Sequence, residues 1–104
     1  MSDKMPLERR DADTLLDDEI REPRRYKVLL HNDHYTTMEF VVRVLVEVFH
    51  KNEAQATRIM LSVHNQGKGV CGIYTAEVAE TKVNMVHNLA KQAGYPLRSS
   101  MEEV

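Results

Sequence analysis

The chain has 104 residues, with 14 Lys and Arg set against 16 Asp and Glu, for a formal net charge of −2. This length supports one domain with a single modest core, and the even charge balance excludes the basic stripe expected of a nucleic-acid binder. Its one cysteine, Cys71, excludes an intramolecular disulfide and fits a reducing compartment. The first residues hold no apolar leader core and no run approaches the length of a membrane span, so a soluble, cytoplasmic protein with no membrane partner is expected.

From Met1 to about Arg25 the chain is densely charged, has no aromatic residue and is bracketed by Pro6 and Pro23. Leu15, Leu16 and Ile20 suffice for a helical turn or two, too little apolar surface to offset the entropy of ordering. Residues 1–25 therefore read as a mobile extension and residues 26–104 as the folded domain.

Tyr26–His31 alternates as a strand, with Tyr26, Val28 and Leu30 on one face and Lys27, Leu29 and His31 on the other. After it, Asn32, Asp33 and His34 form a polar turn. Thr36 and Glu39 have the spacing of a capping box for a helix starting at Thr37. That helix carries Val41, Val42, Leu45, Val48 and Phe49 at helical spacing and breaks at Lys51–Asn52. Asn52 and Gln55 repeat the capping pattern and open a second helix, which runs to about Gln66 and ends at Gly67. Its apolar stripe is Ala56, Ile59, Met60 and Val63.

Gly69–Thr75 reads as a second strand whose glycines permit close approach of a neighbour. Thr75 caps a third helix, Ala76 to about Ala93, ended by Gly94. Val78, Val83, Met85, Val86 and Leu89 are expected on its inner face, with Glu77, Glu80, Asn84, His87 and Lys91 outside. Tyr95–Pro96 turns the chain into a short edge strand, Pro96–Ser100. The order β-α-α-β-α-β gives an α+β fold: a small three-stranded antiparallel sheet packed against three helices.

Several chemistries compete for the polar residues. His31 and His34 with His64 or Cys71 suggest a metal, but a zinc site normally declares three or four ligands, and none is expected. Cys71 with His64 suggests a thiol nucleophile, yet a cysteine inside an apolar strand is usually a small buried hydrophobe. No phosphate-cradling loop or nucleophile elbow is present, so no enzyme and no cofactor is expected. A third reading joins Met60, Val63 and His64, at i, i+3 and i+4 on one helix face, to Met38 and Val41. Together they would make an apolar pocket with Asn32, Asp33 and His64 around its mouth. Spacing alone favours the plainer alternative, in which the methionines and valine are core and His64 is a satisfied histidine.

Four segments in order shift that balance: Asn32–Phe40 (NDHYTTMEF), Ala56–His64 (ATRIMLSVH), Gly67–Gly72 (GKGVCG) and Thr75–Lys82 (TAEVAETK). They resemble the ClpS family, adaptors of the bacterial ATP-dependent Clp proteases, and the resemblance spans Tyr26 to about Ser100. It implies an N-end rule module that binds proteins beginning with Leu, Phe, Tyr or Trp and delivers them to the ClpA unfoldase for degradation by ClpP. Carried across by position, Asn32, Asp33 and His64 would engage the free α-amino group and first peptide bond, with His34 beside them and Thr36 supporting the loop. Met38, Val41, Met60, Val63 and Leu97 would line the side-chain pocket. Glu77 and Lys82 would face the amino-terminal domain of ClpA, the tail would help transfer substrate, and the adaptor would act as a monomer.

The physics is consistent with those roles. A buried Leu or Phe side chain contributes about 1.5–3 kcal/mol, and an ammonium leaving water must regain hydrogen bonds from acceptors such as Asn32 and neutral His64. Methionines near the mouth would exclude β-branched first residues, whose bulk lies close to the backbone. Two positions depart from the family pattern. His34 stands where an acid is common, which predicts weaker binding as pH falls through the histidine range; Thr37 stands where proline is common, which makes the loop slightly less rigid. The competing class is a general interaction module that uses the third helix and has no peptide pocket.

Overall fold

The centre of the sheet is β1 (Arg25–His31), paired antiparallel on one side with β2 (Lys68–Thr75) and on the other with β3 (Arg98–Glu103), in the order β2-β1-β3. This computed structural model describes residues 23–104. The helical turns allowed for Leu15, Leu16 and Ile20 lie outside those residues. Three helices complete the expected β-α-α-β-α-β order: α1 (Met38–Glu47), α2 (Glu53–Gln66) and α3 (Ala76–Ala93).

Alternation in β1 places Val28 and Leu30, both 0% exposed, in one cluster with Val44, Leu45 and Val48 of α1 and its end, Ala56 and Val63 of α2, and Val86 of α3. Leu29 is also buried, so β1 is covered on both faces more fully than its half-polar pattern predicts. A bulge between Val28 and Leu29 shifts the β2 register. Leu30 then lies opposite Gly69. A Cβ at Gly69 would stand 2.9 Å from Val63 Cγ2 and 3.3 Å from the Ile59 carbonyl, so glycine there lets β2 lie directly against α2.

Helix ends follow local chemistry, with two corrections. Asn52 and Gln55 form the expected reciprocal box: Gln55 N donates to Asn52 Oδ1 at 2.8 Å and Asn52 N to Gln55 Oε1 at 3.1 Å. At α1 the cap is Thr37, not Thr36; its hydroxyl accepts from Phe40 N at 3.1 Å, and the helix starts at Met38. Thr36 is drawn away because it bonds Asp33 instead. The same helix stops at Glu47, short of His50, which adopts a left-handed φ of 56°. Thr75 occupies the N-cap of α3 without a side-chain hydrogen bond. Gly67, at φ 90°, closes α2 in the left-handed conformation that glycine adopts without strain.

The other corrections concern α3 and β3. Val78 and Met85 are 44% and 40% exposed, and the inner face is made instead by Ala79, Val86 and Ala90, with Val83 and Leu89 partly buried. Small alanines let the helix sit close to the sheet, which rotates the bulkier valine and methionine outward. The last strand runs Arg98–Glu103 rather than Pro96–Ser100. It begins where Ser99 N donates to His87 Nε2 at 3.0 Å and Ser99 Oγ to the Leu29 carbonyl at 2.7 Å.

Across the sheet His31 Nε2 lies 2.6 Å from Ser100 Oγ. Burial lowers the His31 pKa, and nearby Arg98 and Lys68 lower it further against the opposing pull of Glu102. On acidification the unfolded chain therefore takes up this proton before the folded chain does. Stability is full above the ordinary histidine value of about 6.5 and declines as pH falls from there through the lower folded value. Thermal melting at about pH 7.5 and about pH 5 checks this sign: the chain melts lower in acid, and His31→Gln removes part of the difference.

Candidate functional site

The loop between β1 and α1 is pinned at both ends. At its start Asn32 N donates to the Gly67 carbonyl at 2.9 Å, tying it to the close of α2. At its end the Thr37 hydroxyl lies 3.4 Å from Tyr95 Oη, and the rings of Phe40 and Tyr95 stand 4.7 Å apart, tying α1 to the turn before β3. Between these ties Asp33 is the hub. Its Oδ1 accepts from Tyr35 N at 2.8 Å and Thr36 N at 2.7 Å, while Oδ2 accepts from the Thr36 hydroxyl at 2.7 Å. Burial pushes the Asp33 carboxyl up, but the Thr36 hydroxyl and the Tyr35 and Thr36 amides, with His34 nearby, hold it below its usual value. Asp33 is thus ionised and turned largely toward its own loop.

This loop forms one wall of a cavity of about 220 Å³ lined by Asn32, Asp33, His34, Thr36, Met38, Val41, Met60, Val63 and His64. Burial divides the lining. Val41 and Val63 are 6% and 2% exposed and form the floor. Met60 is half-buried, while Asn32, His34, Met38 and His64 are exposed and form the rim. The arrangement follows from helix geometry: Met60, Val63 and His64 share a face of α2 that rises from core to solvent, opposite the first turn of α1. An apolar floor can bury a side chain, and a rim with the Asn32 amide and two imidazoles can satisfy a polar group held just above it.

Of the twelve side chains that the sequence nominates across site and surface, nine thus meet in one cavity. Leu97 is not among its lining residues; it is 3% exposed and packs within the main core cluster. Glu77 lies exposed on the first turn of α3. Lys82 is half-buried, its Nζ donating to the Val48 carbonyl at 2.6 Å and standing 5.8 Å from the centre of the Tyr74 ring. That contact places a cation at the C-terminal end of α1, where it is electrostatically favoured, a role the sequence reading misses because it depends on packing of residues 34 positions apart.

The rival chemistries fare differently. Cys71 is 1% exposed, and burial pushes its thiol pKa up to about 12, so it remains protonated and poorly nucleophilic. Among the described residues no group of three or more His, Cys, Asp or Glu side chains is placed to share a metal ion. Nor, among those residues, is any helix long and apolar enough to cross a membrane.

Fold and site together define a small α+β binding domain that pairs an apolar cavity with a hydrogen-bonding rim. The family model for "ATP-dependent Clp protease adaptor protein ClpS" matches residues 21–100. An ATP-dependent Clp protease adapter protein ClpS of Oleidesulfovibrio alaskensis is 64% identical over 104 residues, covering all of both chains. Another, from Nitratidesulfovibrio vulgaris strain Miyazaki F, is 62% identical over 96% of this chain and all of its own. Among solved structures, Agrobacterium tumefaciens ClpS2 bound to L-phenylalaninamide superimposes with a TM-score of 0.77 at 40% identity, over 80% of this chain and 100% of that one. The chain belongs to the ClpS family. It is an adaptor of the Clp protease and not an enzyme.

Proposed function

We propose that this adaptor reads the first residue of N-end rule substrates, accepting Leu, Phe, Tyr or Trp, and passes them to the ClpA unfoldase for degradation by ClpP. The observation that carries this reading is the cavity whose buried floor meets a polar rim. The related protein's ligand, L-phenylalaninamide, has the matching chemistry: an aromatic side chain beside a free α-amino group and an amide. In this reading the side chain enters between Met38, Val41, Met60 and Val63, with Leu97 backing the core behind them. The Asn32 side chain and a neutral His64 accept from the ammonium, while Asp33 supplies charge and holds the loop in place. Thr36 completes that loop, and His34 stands at the rim.

Glu77 and Lys82 form the docking surface for the amino-terminal domain of ClpA, and residues 1–25 assist transfer. The adaptor works as a monomer in the cytoplasm. Exposed Glu77 supports the docking role directly; Lys82 contributes while bonded to Val48, since an ammonium has further N–H donors to offer.

Titration with a labelled Phe-initiated peptide tests the pocket. The free peptide binds, and its N-acetylated form, which lacks the charge and keeps only one of the ammonium's three donors, loses about tenfold to a hundredfold in affinity. An Ile-initiated peptide binds more weakly than a Leu-initiated one, because its β-branch meets the methionine rim. Equal affinity for free and acetylated peptides would favour the rival interaction module that uses α3.

A further inference from the structure

We propose that His34 and His64 make this adaptor selective for the second residue of its substrate, favouring Asp or Glu there over Lys or Arg. The inference rests on the peptide-binding reading above. A chain whose first side chain fills the floor must leave the cavity through its mouth, so its second residue passes the exposed rim of Asn32, His34, Met38 and His64. Asp33, His34 and His64 are the titratable groups in the lining. Both oxygens of Asp33 already take hydrogen bonds from their own loop. Besides the Asn32 amide, the imidazoles are the lining groups that can donate an N–H to an incoming carboxylate, and only they gain a positive charge, on protonation.

Neighbouring charges add to this balance. Lys68 opens β2, joined to the loop through the Asn32–Gly67 hydrogen bond, and Arg98 opens β3; both act electrostatically on His31, the residue just before the loop. Glu39, exposed on the first turn of α1, and Glu102 of β3, which opposes them at His31, are the acids set against them. Once protonated, the two rim histidines together with these two bases outnumber Glu39, Glu102 and the committed Asp33. Acidification weakens the hold on every ammonium, yet it widens the advantage of a carboxylate next to it. The ratio of affinities, rather than either affinity, isolates the effect.

The test is a titration of the full chain with three free-amine peptides that begin Phe-Asp, Phe-Ala and Phe-Lys, at about pH 7.5 and about pH 5.5, between which histidines change charge. Phe-Asp is expected to bind about fivefold tighter than Phe-Lys at the lower pH, the scale of one or two exposed charge pairs, and by less at the higher. His34→Gln shrinks the ratio and its pH dependence, and His34→Asp reverses it at the higher pH. Equal binding of Phe-Asp and Phe-Lys at both pH values, or a ratio unmoved by both variants, overturns the inference. Where Phe-Ala still binds in a manner lost on acetylation, that result leaves peptide recognition standing; where Phe-Ala does not bind at all, both fall.

Discussion

Replacing Asp33 by alanine is expected to lower affinity for a Phe-initiated peptide by about tenfold to a hundredfold, with a smaller effect on folding. The side chain makes three hydrogen bonds that set the loop carrying Asn32, His34 and Thr36. Hydrogen bonds to a charged acceptor are individually worth about 1.5–3 kcal/mol when shielded; here the loop is half-exposed, so water recovers part of each. Asp33→Asn separates geometry from charge. Its single Oδ1 can still accept from the Tyr35 and Thr36 amides, while the amide nitrogen cannot accept from the Thr36 hydroxyl and the charge is gone. It should fall between alanine and the parent chain. Because the folded pKa of Asp33 lies below its unfolded value, the stability it contributes is present above the unfolded value and disappears as pH falls through the folded one. Peptide titration beside thermal melts for both variants is the measurement; loss of folding equal to the loss of binding would remove Asp33 from the site.

Leu45→Ala should cost about 2–5 kcal/mol of stability, a purely structural effect. Leu45 is 0% exposed, on the buried face of α1, and belongs to the same core cluster as Val28 and Leu30 of β1. Val46, the next residue, is 40% exposed, and Val46→Ala should change stability by no more than about 0.5 kcal/mol. For a domain of this size each kcal/mol moves the melting temperature by about 4–8 °C, so the two variants are easily told apart. A similar melting temperature for both would mean that α1 does not pack as described.

Local signals in the sequence were strong where chain chemistry acts over a few residues. Alternation in Tyr26–His31, the Asn52–Gln55 box and Gly67 each specify an element without reference to anything distant, and each is found in place. The start of α1 falls one residue later than the sequence predicts, because two threonines stand side by side. Which of them caps depends on Asp33, whose bonds to Thr36 leave Thr37 for Phe40 N. Val78 and Met85 depart from the predicted inner face for a different reason. Helical periodicity reveals that a face is apolar, but here Ala79 and Ala90 sit nearer the sheet than larger side chains could. The end of β3 lies beyond the predicted strand because Met101, Glu102 and Glu103 show no apolar alternation. They are held by backbone pairing with β1 and by ion pairs of Lys27 with Glu102 and Arg24 with Glu103, which exist only across the folded sheet.

The site shows the same division. Spacing puts Met60, Val63 and His64 on one helix face and Asn32–Thr36 directly after the strand. By itself it favours an ordinary core there, and it is the resemblance to the ClpS family that joins these residues into a pocket. Tertiary structure decided what each one does there. It sinks Val41 and Val63 into the floor and leaves Met38 and His64 at the rim, draws Leu97 into the core, and turns the Asp33 oxygens inward. It also fastens Lys82 to the end of α1. These outcomes depend on the distance between elements and on competition for a limited number of donors and acceptors. Neither is encoded in the spacing of residues along one segment; both arise only when β1, α1 and α2 are packed together.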